Sequence, residues 1–164
     1  MFIYHGSTEL VRKPKIRISE NFLDFGTGFY TTTSYEQALR WAKIKMRREN
    51  KDIGYVSIYE FDFEKAETET IILRYNEADT EWLQFVVGNR RGEKSVTSAD
   101  MHIGSVADDN VYRLIRLFET GVLDAEETVK RLKTELLQDQ WTFHTEKILS
   151  YLTFVESRVI RQEG

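Results

Sequence analysis

The stretch that most constrains this chain is Asp24-Phe25-Gly26-Thr27-Gly28-Phe29-Tyr30-Thr31-Thr32-Thr33. Two glycines one residue apart imply backbone at positive φ, or a partner too close for a Cβ. The aromatic and β-branched run that follows reads as a strand. Ser34 then opens a helix: with Gln37 three residues on it has the spacing of a capping box, and the run to about Arg48 contains no Gly or Pro. Loop, strand and helix thus follow within 25 residues. A dinucleotide-binding fingerprint would need a third glycine and a helix directly after it, and here a strand intervenes. Two readings stay open for the loop alone, a tight turn feeding a core strand or the wall of a ligand pocket.

Upstream, Phe2 to His5 reads as an opening strand that stops at a His5-Gly6-Ser7 turn. Thr8 to Asn21 is polar, holds the single proline (Pro14) and lacks periodicity, so it reads as loop. In the helix after Ser34, the residues Tyr35, Ala38, Trp41, Ala42 and Met46 form one apolar stripe, which predicts Trp41 in the core. Gly54 to Phe63 alternates as the longest strand, Thr70 to Leu73 is a short one, and Asn76 to Asn89 is helical with Trp82, Phe85 and Val86 inward. Met101 to Gly104 reads as a brief strand. Ser105 with Asp108 has capping-box spacing ahead of Val111, Leu114, Ile115 and Phe118, which makes Asp108 and Asp109 first-turn helix residues rather than catalytic ones. Gly121 ends that helix, and Asp124 with Glu127 caps another to about Leu137. A strand from Gln140 to His144, a turn over Thr145 to Leu149 and a last strand from Tyr151 to about Val159 complete the chain. Strands and helices mix without regular alternation, which predicts an α+β class with segregated sheets.

The 164 residues fit one domain, 1–164, with a proper core. Apolar runs are only a few residues long, so no span or membrane partner is expected, and with no cysteine a cytoplasmic setting is the default. A net charge of −4 offers no global footprint for nucleic acid. Two local basic clusters, Arg12 to Arg17 and Lys43 to Arg48, read as solvated faces, which leaves nucleic acid open as a substrate. His5, His102 and His144 lack metal-ligand spacing, so no metal is expected.

Taken together, His5-Gly6-Ser7 closing the first strand, Tyr30 following Gly26-Thr27-Gly28, and Gln140 opening a late strand that ends in a Thr145 turn resemble the signature of ADP-ribosyltransferases of the diphtheria-toxin and PARP-like group. The likeness runs through nearly the whole chain. It also looks close to a bacterial branch of uncharacterised ADP-ribosyltransferase-like domains that share the His-Gly-Ser turn, the Asp24-to-Tyr30 loop with Gln37-Ala38 and Trp41-Ala42 after it, and the Ala107-Asp108-Asp109 segment.

The resemblance implies a split-sheet ADP-ribosyltransferase-like fold with flanking helices and NAD as co-substrate. It implies catalytic roles for His5, Tyr30 and Gln140 and a pocket formed by His5, Gly6, Ser7, Gly26, Gly28, Tyr30 and Thr31. Gly6 would offer its backbone to the nicotinamide carboxamide, Tyr30 would stack on that ring, His5 would bond the adenine-side ribose, and Ser7 or Thr31 would add a hydroxyl. Gln140 departs from the Glu usual in the group. Gln accepts a hydrogen bond from the ribose 2′-OH but brings no charge to the oxocarbenium-like transition state, a deficit of roughly 10²–10³-fold by analogy with one lost electrostatic contact. The implied activity is therefore transfer of a single ADP-ribose to a macromolecular acceptor, protein or nucleic acid, with NAD hydrolysis as a side reaction. The family context suggests a toxin or defence-type effector inside a bacterial cell, which a cognate antitoxin protein could neutralise. The competing expectation is an NAD-binding or interaction module of the same fold with little or no turnover.

Overall fold

The computed structural model describes residues 1–17, 24–93, 98–107, 109–135 and 137–163. Its strands are β1 (Phe2–Ser7), β2 (Phe29–Thr31), β3 (Ile53–Phe61), β4 (Ile72–Arg74), β5 (Met101–Ser105), β6 (Asp139–Phe143) and β7 (Leu152–Arg161). Its helices are α1 (Tyr35–Glu49), α2 (Phe63–Glu69), α3 (Thr80–Arg90), α4 (Asp109–Glu119), α5 (Ala125–Leu132) and α6 (Glu146–Leu149). The strands form two separate sheets, a three-stranded one ordered β1-β3-β7 and a four-stranded one ordered β2-β6-β5-β4. Among the described strands only β4 and β5 pair in parallel. This is the α+β arrangement expected from the irregular alternation.

Period-two alternation puts one face of each sheet against the other. Ile3, Tyr59 and Phe61 of the first sheet meet Phe29, Met101, Ile103, Trp141 and Phe143 of the second in one aromatic core. Phe61 stacks edge-on against Phe143 and Trp141, at centroid distances of 5.1 and 6.3 Å. The far face of the second sheet carries a second core, where Phe25 and Ala107 join Trp82, Leu83, Val86 and Val87 of α3, Val111 and Ile115 of α4 and Leu132 of α5.

Helix α1 covers the far side of the first sheet, and its docking explains a glycine. A Cβ on Gly6 would lie 1.9 Å from the carbonyl oxygen of Ala38, so strand and helix touch backbone to backbone. The stripe that makes this contact is Ala38, Ala42 and Met46, small residues where the approach is closest. Tyr35 and Trp41 flank it half-buried, which moves Trp41 out of the expected core. Ser34 caps α1 by accepting from Gln37 N–H at 3.2 Å, but the box is not reciprocal. Gln37 Oε1 instead accepts from Arg40, and Ser34 N–H donates to Thr32 Oγ1.

Other boundaries shift for local reasons. Asp62 caps an unforeseen helix, α2, that the strand pattern through Phe63 hid. Ser105 closes β5 instead of capping α4. Asp108 lies outside the described residues, and Asp109 begins α4 as expected. Gly121 stands at φ +78° just past that helix, and Asp124 accepts from Glu127 N–H at 2.8 Å to start α5, which ends at Leu132 rather than Leu137. No helix among the described residues is long and apolar enough to cross a membrane.

The Gly6 contact gives a direct test. Gly6→Ala should force β1 and α1 apart and cost about 1–3 kcal/mol, the range for an overpacked interior. Chemical denaturation would check this, and an unchanged midpoint would mean the helix docks more loosely than the 1.9 Å approach requires.

Candidate functional site

Where β1 and β2 come together, a cleft of about 450 Å³ opens beside the end of α1. Two backbone hydrogen bonds, Tyr4 N–H to Thr32 O at 2.9 Å and Thr32 N–H to Tyr4 O at 3.0 Å, tie the sheets there. Asp139 reinforces the junction: Oδ1 accepts from Thr32 Oγ1 and Thr33 N–H, both at 2.9 Å, and Oδ2 accepts from the Thr33 hydroxyl. The next residue, Gln140, therefore enters the cleft from a braced strand end.

His5, Tyr30 and Gln140, 25 and 110 residues apart, all line this cleft, together with Gly6, Ser7 and Gly28. His5 Nδ1 sits 2.6 Å from the Tyr30 carbonyl, which can only accept, so Nδ1 carries the proton and Nε2 is left with its lone pair. Burial lowers its pKa to about 4 against the opposing pull of that carbonyl, so the ring is neutral at pH 7. The Tyr30 hydroxyl donates to Gly26 O at 2.6 Å and accepts from Phe25 N–H at 3.1 Å. That fixes the ring, and burial pushes the phenol pKa up. Gly26 itself, at φ +76°, shapes the loop for this clamp and does not line the cleft. Thr31 is not brought there either. It follows Tyr30 on β2 and so faces the opposite side of the sheet, with its hydroxyl donating to Trp141 O at 2.7 Å.

Sequence reasoning missed several residues here. Trp41 lines the cleft from α1, and Tyr112 lines it from α4. Lys13, Lys15 and Arg17 reach its mouth from one basic cluster, Lys45 and Arg48 from the other. Two runs read as separate solvated faces thus converge. Asp24, buried at the head of the glycine loop, also lines the cleft. Burial raises its pKa to about 6, restrained by the charge of Arg90 and by donors from Ala107 N–H and the Gln140 side chain.

The loop is also held from behind. His144 Nδ1 lies 2.7 Å from Thr27 O, and His144 Nε2 lies 2.8 Å from His102 Nδ1. The carbonyl sets the direction of the chain: Thr27 O accepts from His144, whose Nε2 accepts from His102. His102 Nε2 is then a buried lone pair without a partner, among Phe25, Tyr75 and Phe85. The sequence spacing of these two histidines hid the pair, because only the antiparallel register of β5 on β6 brings them together. No cluster of three or more metal-ligating side chains occurs among the described residues.

Residues 1–154 match the model of a family described as protein of unknown function (DUF3990). The chain belongs to the DUF3990 family. The match spans β1 through Phe154 in β7, and so includes every cleft residue named above. No curated protein and no solved structure matches the chain. What this DUF3990 domain does must therefore be argued from the cleft itself.

The histidines also make stability depend on pH. Burial lowers the pKa of His102 to about 4, as it does for His5, and lowers that of His144. Between about pH 4 and 6.5 the unfolded chain binds protons that these rings refuse when folded, so stability is lost as pH falls through that window. Asp24, raised to about 6, acts in the opposite sense, but it is one group against three. Unfolding free energy should thus rise from pH 4.5 to 7. In His102→Phe that rise should shrink by up to about 2 kcal/mol, the linkage of a pKa held near 4 across that window. Denaturation at several pH values measures it, and an equal slope in the variant would mean His102 is not held neutral.

Proposed function

We propose that this domain is an NAD-dependent mono-ADP-ribosyltransferase with the split-sheet ADP-ribosyltransferase fold, acting on a macromolecular acceptor. One observation carries the reading: His5, Tyr30 and Gln140, the positions that resemble the family's signature, converge on a single cleft. Its volume of about 450 Å³ falls within the range of small-ligand sites, roughly 300–1,000 Å³.

The side chains suit the parts of the dinucleotide. The His5 Nε2 lone pair can accept a hydrogen bond from a ribose hydroxyl. The clamped Tyr30 ring and the half-buried Trp41 offer flat faces to the nicotinamide, and a ring already fixed loses little entropy on stacking. Lys45, Arg48 and the basic residues of the 13–17 segment give the mouth a cationic rim that complements a pyrophosphate. Holding the dinucleotide bent at these points favours cleavage of the bond from ribose to nicotinamide. The same likeness supports an intracellular bacterial toxin or defence effector, with an antitoxin as its protein partner.

Incubation with NAD should release free nicotinamide and shift the melting temperature upward. Labelled NAD should deposit one ADP-ribose on a macromolecule, and digestion with protease or nuclease would tell which class it belongs to. His5→Ala and Tyr30→Ala should each cut nicotinamide release at least about 10-fold, the loss of ~1.4 kcal/mol of transition-state stabilisation, and abolish the thermal shift. Unchanged binding and release in both variants would sink the assignment.

A further inference from the structure

The neutral Gln140 leaves the proposed transferase site short of a carboxylate on that strand; of the three carboxylates that line the cleft, Glu9 and Glu49 are exposed and Asp24 is buried. Asp24 is 7% exposed, lines the cleft beside Gln140, and belongs to the loop whose other end carries Tyr30. Its position is over-determined. Asn89 Nδ2 donates to its backbone oxygen at 3.0 Å, and its carboxylate takes donors from Ala107 N–H and the Gln140 amide. Gln140 Nε2 also donates to Ser105 O at 3.3 Å, so the amide nitrogen is committed to holding strand and carboxylate together. Glu at position 140 would set two carboxylates against each other, and Gln removes that conflict while supplying a donor.

We propose that Asp24 is the catalytic carboxylate of this site, acting as general base toward the acceptor hydroxyl, and that Gln140 is its positioning residue. The inference rests on the transferase reading above. In the step, the bond from ribose C1′ to the nicotinamide nitrogen breaks, and its electron pair leaves with nicotinamide, which departs neutral. The acceptor oxygen, from water or a macromolecular hydroxyl, forms the new bond to C1′. Its proton passes to an Asp24 carboxylate oxygen and then to solvent. Ionised Asp24 also places a negative charge by the cleft in which positive charge develops on the sugar.

The charged and titratable groups around Asp24 come from three elements. Arg90 of α3, whose guanidinium lies 4.4 Å from the Tyr112 ring of α4 and whose Nη1 is buried without a partner, favours the ionised form, and burial keeps the Tyr30 phenol of β2 neutral. Burial holds Asp24 near 6, so it is mostly ionised at pH 7 yet basic enough to take a proton. His5, on β1, titrates near 4 and does not share that range.

The test is nicotinamide release from NAD across pH 4.5–8 by the native chain, Asp24→Asn, Gln140→Glu and the double swap Asp24→Asn/Gln140→Glu. The native rate should rise with pH to a plateau, with a midpoint near 6. Asp24→Asn should fold with an equal or higher melting temperature at pH 7, lose about 100-fold or more in rate, and lose the acidic limb. Gln140→Glu alone should be slower than native, because two carboxylates then share one site. The swap, which moves the single charge to position 140, should recover activity well above Asp24→Asn. An Asp24→Asn variant with the native rate, or a slower one that keeps the acidic limb, overturns the inference and leaves the transferase reading standing. A native protein that binds NAD without releasing nicotinamide overturns both the Asp24 inference and the transferase reading and leaves NAD binding alone. One that neither binds nor cleaves NAD removes that as well.

Discussion

The cleft depends on a very small piece of bonding. Among the described residues, the two backbone hydrogen bonds between Tyr4 and Thr32 are the only bridge outside the named strands, and they join β1 of one sheet to the end of β2 of the other. Their net energy is only about 1 kcal/mol each, so what matters is the placement they impose. With Tyr4 held against Thr32, the next side chain on β1, His5, must fall beside Tyr30, and its Nδ1 finds that carbonyl at 2.6 Å. Asp139 then closes the junction from the third strand by binding Thr32 and Thr33. A sheet split at this point leaves a gap beside the bridge. His5, Tyr30 and Gln140 are the side chains that strand geometry delivers into it.

Polarity follows from the same placement. Strand alternation sends Phe29, Trp141 and Phe143 into the core between the sheets, while Tyr30 and Gln140 face the helices of the other side. Both of these polar groups are turned to fixed partners. Tyr30 spends its hydroxyl on the loop it belongs to, and Gln140 spends its amide on Ser105 and Asp24. The glycine loop is gripped from the front by Tyr30 and from behind by His144 on Thr27. A loop clamped on two sides is a rigid wall, and that explains why two glycines are tolerated next to the cleft.

Local chemistry was legible in the sequence where it is written in neighbouring residues. The Ser34 and Asp124 caps, the Gly121 stop, and the buried stripe of Trp82 and Val86 all come from short-range spacing, and all are found. The irregular order of strands and helices was enough for the α+β class. What failed was decided by tertiary contact. Trp41 lay on the apolar stripe of α1, but the backbone contact of Gly6 on Ala38 leaves room there only for small residues. Helix α2 was hidden because Phe63 extends the apolar alternation of β3, while Asp62 caps at that point. The His102–His144 pair and the joined basic clusters need sheet register and chain return that no local pattern encodes.

Asp24 shows the same limit in the site itself. In sequence it is one of 27 acidic residues, and although it heads the glycine loop, nothing in its neighbours singles it out as a reactive carboxylate. Its significance comes from burial next to Gln140, a residue whose own meaning also changes. Read alone, Gln140 is a carboxylate lost. Read beside Asp24, it is the neutral partner that a buried carboxylate requires, since a single charge held by donors costs far less than two facing one another. Moving the charge from a strand end to a loop also changes what it can reach. A carboxylate at 140 would be aimed by β6 alone, whereas one at 24 is aimed by Ala107, Gln140 and, through its backbone, Asn89. These contacts come from three separate segments, so the acidity of the group is set by tertiary packing and not by any single strand.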